Sequence, residues 1–232
     1  MKCLFGVLIL LAGCGAWAQS TTRPNILVIV ADDHRQDLIG KYHGIVQTPT
    51  LDNLCNNGIY FRNAYVTTPI CAASRASIFT GLTERTHSYT FGEPAVPAQF
   101  AVTAYPRILK DNGYRTGFVG KYGCKLSGAQ TTRFHSFENR SHRITESYGG
   151  QQIPQTYYVA NKARDFIEDM ETNHPGTPWC MSVSFWDPHA HDSDLANQYY
   201  YPPEFETLYE HVTIPDARLS DSETFNALPQ FL

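Results

Sequence analysis

The run Asn25-Ile26-Leu27-Val28-Ile29-Val30 is continuous, apolar and largely β-branched, and it passes directly into Ala31-Asp32-Asp33. Such a run predicts a strand buried on both faces, as in a parallel sheet covered by helices. Tyr114 to Val119 and Trp179 to Phe185 repeat the signal. Between these runs the pattern turns helical. Tyr105 to Asn112 reads as a helix stopped by Gly113, with Asp111-Asn112-Gly113 as its C-cap. Val159, Ala163, Phe166, Ile167 and Met170 form one apolar stripe of a second helix. Alternating strands and helices predict an α/β/α sandwich with a mostly parallel central sheet. Right-handed crossovers then bring every strand's carboxyl end to one edge, where open α/β sheets hold their ligands.

The remaining segments are less regular. Thr48-Pro49 opens a helix that closes at Asn57-Gly58, and Ile59, Phe61 and Ala64 to Val66 predict a short strand leading to Cys71. Leu126 to Gln155 reads as an irregular insertion, and Tyr199 to Leu232 as an unfinished excursion. An apolar content of 42% with 17% charged residues describes a globular chain rather than a disordered one. A net charge of -4 without a basic run excludes nucleic acid as the main partner.

The amino terminus reads as an export leader, with a basic Met1-Lys2 and an apolar Leu4 to Leu11 too short to span a membrane. Two exits compete. Ala16-Trp17-Ala18 is an A-x-A cleavage site and gives a signal peptide over residues 1–18, leaving 19–232 as the body. Leu11-Ala12-Gly13-Cys14 resembles a lipobox, which ends the leader at residue 13 and places a lipid anchor on Cys14. Both predict an exported protein: periplasmic, an outer-membrane lipoprotein, or secreted. Past the leader stand Cys55, Cys71, Cys124 and Cys180, with no close pair and no C-x-x-C. That is neither a disulfide framework nor a zinc-finger pattern.

Candidate chemistry gathers at the predicted strand ends. Pro69 to Gly81 reads as a helix with Cys71 at its start and Gly81 past its end. Cys71 and Arg75 share a face of it, and the helix N-terminus with the Arg75 charge suits an anion. A lone cysteine there could equally be a small core residue. Asp32 and Asp33 suit a hard cation, or else cap a helix from a solvated loop. Lys121 follows the second strand and could reach an anion at the Cys71 helix. His189 follows the third, in Trp186-Asp187-Pro188-His189-Ala190-His191-Asp192, and fits acid/base or anion-binding work better than zinc, for which the spacing is wrong. His191 reads as a surface residue. Five such features on one sheet edge describe a hydrolase for an anionic ester.

The chain resembles the sulfatases, within the alkaline-phosphatase-like fold, from about Arg23 to at least His189. The residues carrying the resemblance are Pro24 to Asp33, Thr48 to Asp52, Cys71 to Gly81, Gly120-Lys121 and Pro188-His189. It implies that a maturation enzyme oxidises Cys71 to formylglycine, held as its hydrate. One hydroxyl of that diol attacks the sulfur of a sulfate ester and the alcohol leaves. Deprotonation of the second hydroxyl then re-forms the aldehyde and expels sulfate. The resemblance also implies one calcium ion, in preference to magnesium, on Asp32, Asp33 and the modified Cys71. Arg75 would hold the formylglycine hydroxyl, Lys121 the sulfate, and His189 the sulfate or its leaving oxygen. The implied partner is a sulfated small molecule or glycan.

Three departures stand out. Ala73 replaces the usual proline two residues after the cysteine, which leaves the identity of the maturation enzyme open. Gly123 stands where the family often has a histidine, two residues after the lysine. Nothing after His189 matches the family's later metal pair and second lysine, so the resemblance covers the N-terminal portion. This predicts little activity from the chain alone. Two alternatives accompany the sulfatase reading: a phosphodiesterase or phosphonate monoester hydrolase of the same superfamily, and a non-catalytic protein that binds sulfated glycans.

Overall fold

The three apolar runs become β1 (Ile26–Ala31), β2 (Arg115–Gly120) and β6 (Trp179–Phe185) in the computed structural model, which describes residues 23–91, 94–214, 216 and 221–227. With β3 (Ser136–Asn139) they form a four-stranded sheet in the order β1-β6-β2-β3. Every pairing in it is parallel, with Ser182 of β6 opposite Val28 on one side and Phe118 on the other. A separate antiparallel hairpin joins β4 (Thr145–Tyr148) to β5 (Gln151–Pro154).

The helices are α1 (Gly40–His43), α2 (Pro49–Asn57), α3 (Cys71–Thr80), α4 (Glu84–His87), α5 (Ala98–Ala101), α6 (Tyr105–Asp111), α7 (Gln155–Asn173) and α8 (Ser222–Asn226). Proline at the first position starts α2, where its missing N–H costs nothing. Gly81 ends α3 in the left-handed region and donates to the Ser77 carbonyl.

Alternation along β2 sends neighbouring side chains to opposite faces. Phe118 packs with Ala72, Ala76 and Phe79 of α3 and with Phe134, while Val119 packs with Val159 and Ala163 of α7 and with Val183 of β6. Helices therefore cover both faces of the sheet centre, as the alternation of elements predicts. Phe79 and Phe118 are buried, each contributing about 1.5–3 kcal/mol by removal from water. Tyr122 meets them with ring centroids at 4.9 and 5.2 Å.

Three local expectations are corrected. β1 lies at the edge of the described sheet, and only alternate residues are shielded: Leu27 is 47% and Ile29 57% exposed. Its unbroken apolar run misleads because nothing among the described residues covers that face. Residues 59–66 form no strand, and Phe61, Tyr65 and Val66 are exposed. Residues 126–155 are not a structureless insertion, since β3 joins the main sheet and β4–β5 makes the hairpin. The buried Arg133 holds the approach to β3 by donating to the carbonyls of Ser127 and Gly128, both at 2.9 Å. Cys55, Cys71, Cys124 and Cys180 are all free thiols. The leader and the Cys14 anchor lie outside the described residues. Among those described, no helix is long and apolar enough to cross a membrane.

Candidate active site at the carboxyl edge of the sheet

Asp32 is the first residue past β1 and Lys121 the first past β2, so the parallel sheet delivers both to the same edge. Arg75 reaches them from α3. All three are buried, at 6%, 5% and 4% exposure. Asp32 Oδ2 is ion-paired with Lys121 Nζ and lies 3.3 Å from Arg75 Nη2. Arg75 Nη1 also donates to the Lys121 carbonyl and to Ser184 Oγ on β6. Buried charges persist only when paired. Here two cations share one carboxylate, which leaves a positive charge in excess. Among the described residues Asp32 Oδ2 has these two cations as its contacts and no further hydrogen bond, and Arg75 Nη2 has no partner besides Asp32.

Two glycines make this packing possible. At Gly120, with φ +105°, a Cβ would sit 1.8 Å from the Ser184 carbonyl oxygen, and the Lys121 N–H donates to that oxygen at 2.9 Å. At Gly123, with φ +63°, a Cβ would sit 2.6 Å from Arg75 Cδ. The histidine that the family often carries there has no room in this chain. Asn139, at the end of β3, accepts from the Tyr122 N–H at 2.9 Å and steadies the same loop.

Cys71 is the first residue of α3, half-buried, one helical turn before Arg75 and on its face. No side chain caps this end of the helix, so its first N–H groups remain available to an anion. His189 Nε2 stands 3.8 Å from Asp33 Oδ2, an ion pair only when the ring is protonated. Asp33 is 63% exposed and adopts a positive φ of 58°. His189 Nδ1 contacts the Ala190 carbonyl, which can only accept. The ring proton therefore sits on Nδ1 in the neutral form, leaving Nε2 toward Asp33.

His191 does not join this pair. Its ring packs against His142 at 4.9 Å and Tyr200 at 5.1 Å, half-buried rather than on the open surface. Residues without a sequence-derived role support the site. Lys121 Nζ stands 4.0 Å from the ring centroid of Trp186, and the Trp186 indole donates to the Arg140 carbonyl at 2.8 Å. His142 stacks on Trp186 at 4.8 Å with only 6° between the rings. Burial pushes the His142 imidazole below its ordinary pKa, with Asp187 opposing and the neighbouring histidines and Lys121 adding to the depression. Trp186 follows β6 directly, so the strand-end rule could have flagged it. Ser184 and His142 carry no comparable signal.

The donor chemistry fits a hard cation on one side only. Asp32 and Asp33 offer carboxylate oxygens, and Asp32 Oδ2 lacks a hydrogen bond. Calcium takes six to eight oxygens, however, and no group of three His, Cys, Asp or Glu side chains converges among the described residues.

Similarity to known proteins supplies the family. The family model described as "Sulfatase" matches residues 24–224. An N-acetylglucosamine-6-O-sulfatase of Bacteroides thetaiotaomicron is 30% identical over 182 residues, covering 74% of this chain and 32% of that protein. An arylsulfatase of Clostridium perfringens is 37% identical over an alignment covering 86% of this chain and 49% of that protein. A solved structure in complex with its substrate D-glucosamine-2-N,6-O-disulfate superposes with a TM-score of 0.68 and 26% identity, covering 85% of this chain and 40% of that one. The chain thus spans about a third to a half of the length of these relatives.

Proposed function

The chain belongs to the sulfatase family, and on that premise we propose that it carries the nucleophile half of a site that hydrolyses the sulfate ester of a carbohydrate. The observation carrying this reading is the buried Asp32–Lys121–Arg75 cluster. Its excess positive charge sits one helical turn from Cys71. A sulfate ester brings the negative charge that matches this excess, and oxygens for the Arg75 guanidinium and for Lys121 Nζ.

Cys71, once oxidised to formylglycine by a maturation enzyme, supplies the attacking oxygen. Arg75 orients that oxygen and Lys121 neutralises the sulfate. His189 has Nδ1 engaged by Ala190, so its Nε2 is the position that exchanges a proton with the departing alcohol. Asp32 and Asp33 are the donors for a divalent cation, calcium before magnesium. A bound cation would add positive charge against the sulfate oxygens. With only these two carboxylates as donors, weak calcium binding is expected. The amino-terminal leader supports export, to the periplasm, the outer membrane or the medium.

Mass spectrometry of the tryptic peptide Asn63 to Arg75 tests the reading after expression in a host able to perform the oxidation. Conversion of the Cys71 thiol to an aldehyde is the expected result, with at most slow sulfate release by the chain alone, which Cys71→Ala abolishes. An intact thiol in such a host would favour a protein that only binds sulfated glycans. Faster turnover of aryl phosphate than of aryl sulfate would move the reading to a phosphoester or phosphonate hydrolase.

A further inference from the structure

A cavity of about 280 Å³ is bordered by the β4–β5 hairpin, the start of α7 and the segment around Tyr200. Asp187 is the residue that joins it to the candidate site. It lines the cavity and precedes His189 by two positions. Its Oδ1 is 3.9 Å from His142 Nε2, and the His142 ring centre is 6.3 Å from that of His189. Its other oxygen accepts from the Thr156 hydroxyl, which fixes the carboxylate at the cavity wall.

The lining has two characters. Ile144, Pro154, Tyr200 and Tyr201 present apolar and aromatic surface, suited to the C–H face of a sugar ring. Arg143 and Asp187 supply charge. The Arg143 backbone N–H is bonded to Gln155 Oε1, but its guanidinium has no ion pair or hydrogen bond among the described residues. A guanidinium left free at the wall of a small pocket matches a carboxylate or sulfate, which it can grip with two parallel hydrogen bonds. The volume lies near the lower end for small-molecule sites, about 300 Å³, and admits one monosaccharide rather than an oligosaccharide.

We propose that this cavity receives the sugar of the leaving group and that Arg143 pairs with a second anionic substituent on it. The inference rests on the sulfatase reading for what occupies the neighbouring site. The ring lies against Tyr200 and Tyr201, and Asp187 accepts from sugar hydroxyls. Arg143 thus selects sugars carrying a carboxylate or a further sulfate over neutral ones.

Titration calorimetry with N-sulfoglucosamine, glucuronate and N-acetylglucosamine tests this and separates the two anionic groups. Both anionic sugars should bind at least about tenfold more tightly than the neutral one, the equivalent of roughly 1.4 kcal/mol. Arg143→Gln should remove that advantage while leaving the neutral sugar's affinity unchanged, and Tyr201→Ala should weaken all three. Equal affinity for charged and neutral sugars, or an Arg143→Gln variant that keeps the preference, would overturn the proposal. Hydrolysis of p-nitrophenyl sulfate, which has no sugar, is the companion measurement and should be insensitive to Arg143→Gln. Sugar selectivity in a chain whose Cys71 thiol stays intact in a competent host would sink the sulfatase reading and keep the pocket. Turnover without selectivity would do the reverse.

Discussion

At the scale of single residues, the site depends on atoms brought closer than most side chains would allow. Gly123 is the clearest case, because its positive φ and the 2.6 Å approach of Arg75 Cδ both exclude a side chain. Gly123→His places the histidine common in the family, yet it should not supply a leaving-group contact. It should instead push Arg75 away from Asp32 and cost about 1–3 kcal/mol through backbone strain alone. Thermal unfolding of the variant beside wild type measures this, and an unchanged midpoint would refute the steric account. Trp186 acts on the same cluster from the other strand end. Its ring gives Lys121 a second electrostatic partner besides Asp32.

At the scale of elements, the α3–α4 corner ties the helix that carries Cys71 to the fold. His87, at the end of α4, is fully buried between Ser77 and Tyr89. Its Nδ1 accepts from the Tyr89 N–H at 3.1 Å, so Nε2 carries the proton and donates toward Ser77 Oγ at 3.0 Å. Burial holds its pKa below the ordinary histidine value, with Glu84 opposing. The unfolded chain then binds more protons than the folded one between the depressed and the ordinary pKa. Stability therefore rises with pH through that window and falls on acidification below about 6.5. The melting temperature should drop from pH 7.5 to pH 5.5, and His87→Gln should flatten that slope while lowering stability at pH 7.5. A slope identical in the variant would assign the acid sensitivity elsewhere, with His142, also depressed by burial, the next group to test.

At the scale of the whole molecule, the sheet is covered in its middle and, among the described residues, open at β1. Leu27 and Ile29 project from the edge strand into solvent, and a parallel edge with an apolar face invites association. Chain 1–232 on its own should self-associate as its concentration rises. Replacing both residues with threonine, which keeps strand propensity, should reduce this with little change in melting temperature. Light scattering across a dilution series decides it; a monomeric wild type at all concentrations would contradict the expectation.

Much was legible before any coordinates. Local pattern placed β2, β6 and α6 to within a residue or so, and found the apolar stripe of α7 but not its first turn. The strand-end rule carried Asp32 and Lys121 to one edge, because side-chain period and crossover handedness are local properties of the chain. The motif from Cys71 to Gly81 announced a helix and its glycine stop. Neighbours in space were not legible. The apolar run of β1 could not say that one of its faces stays open, nor could residues 59–66 say that no partner strand awaits them. Four strand-forming residues in a polar stretch did not reveal that β3 completes the sheet. Ser184, His142 and the cavity beside Asp187 were likewise invisible. The helix that starts at Cys71, and the strand-end positions of Asp32 and Lys121, are thus written in the sequence, since each needs only its own element to be placed. What lies against them depends on contacts between segments far apart in the chain, and those exist only once the sheet has formed.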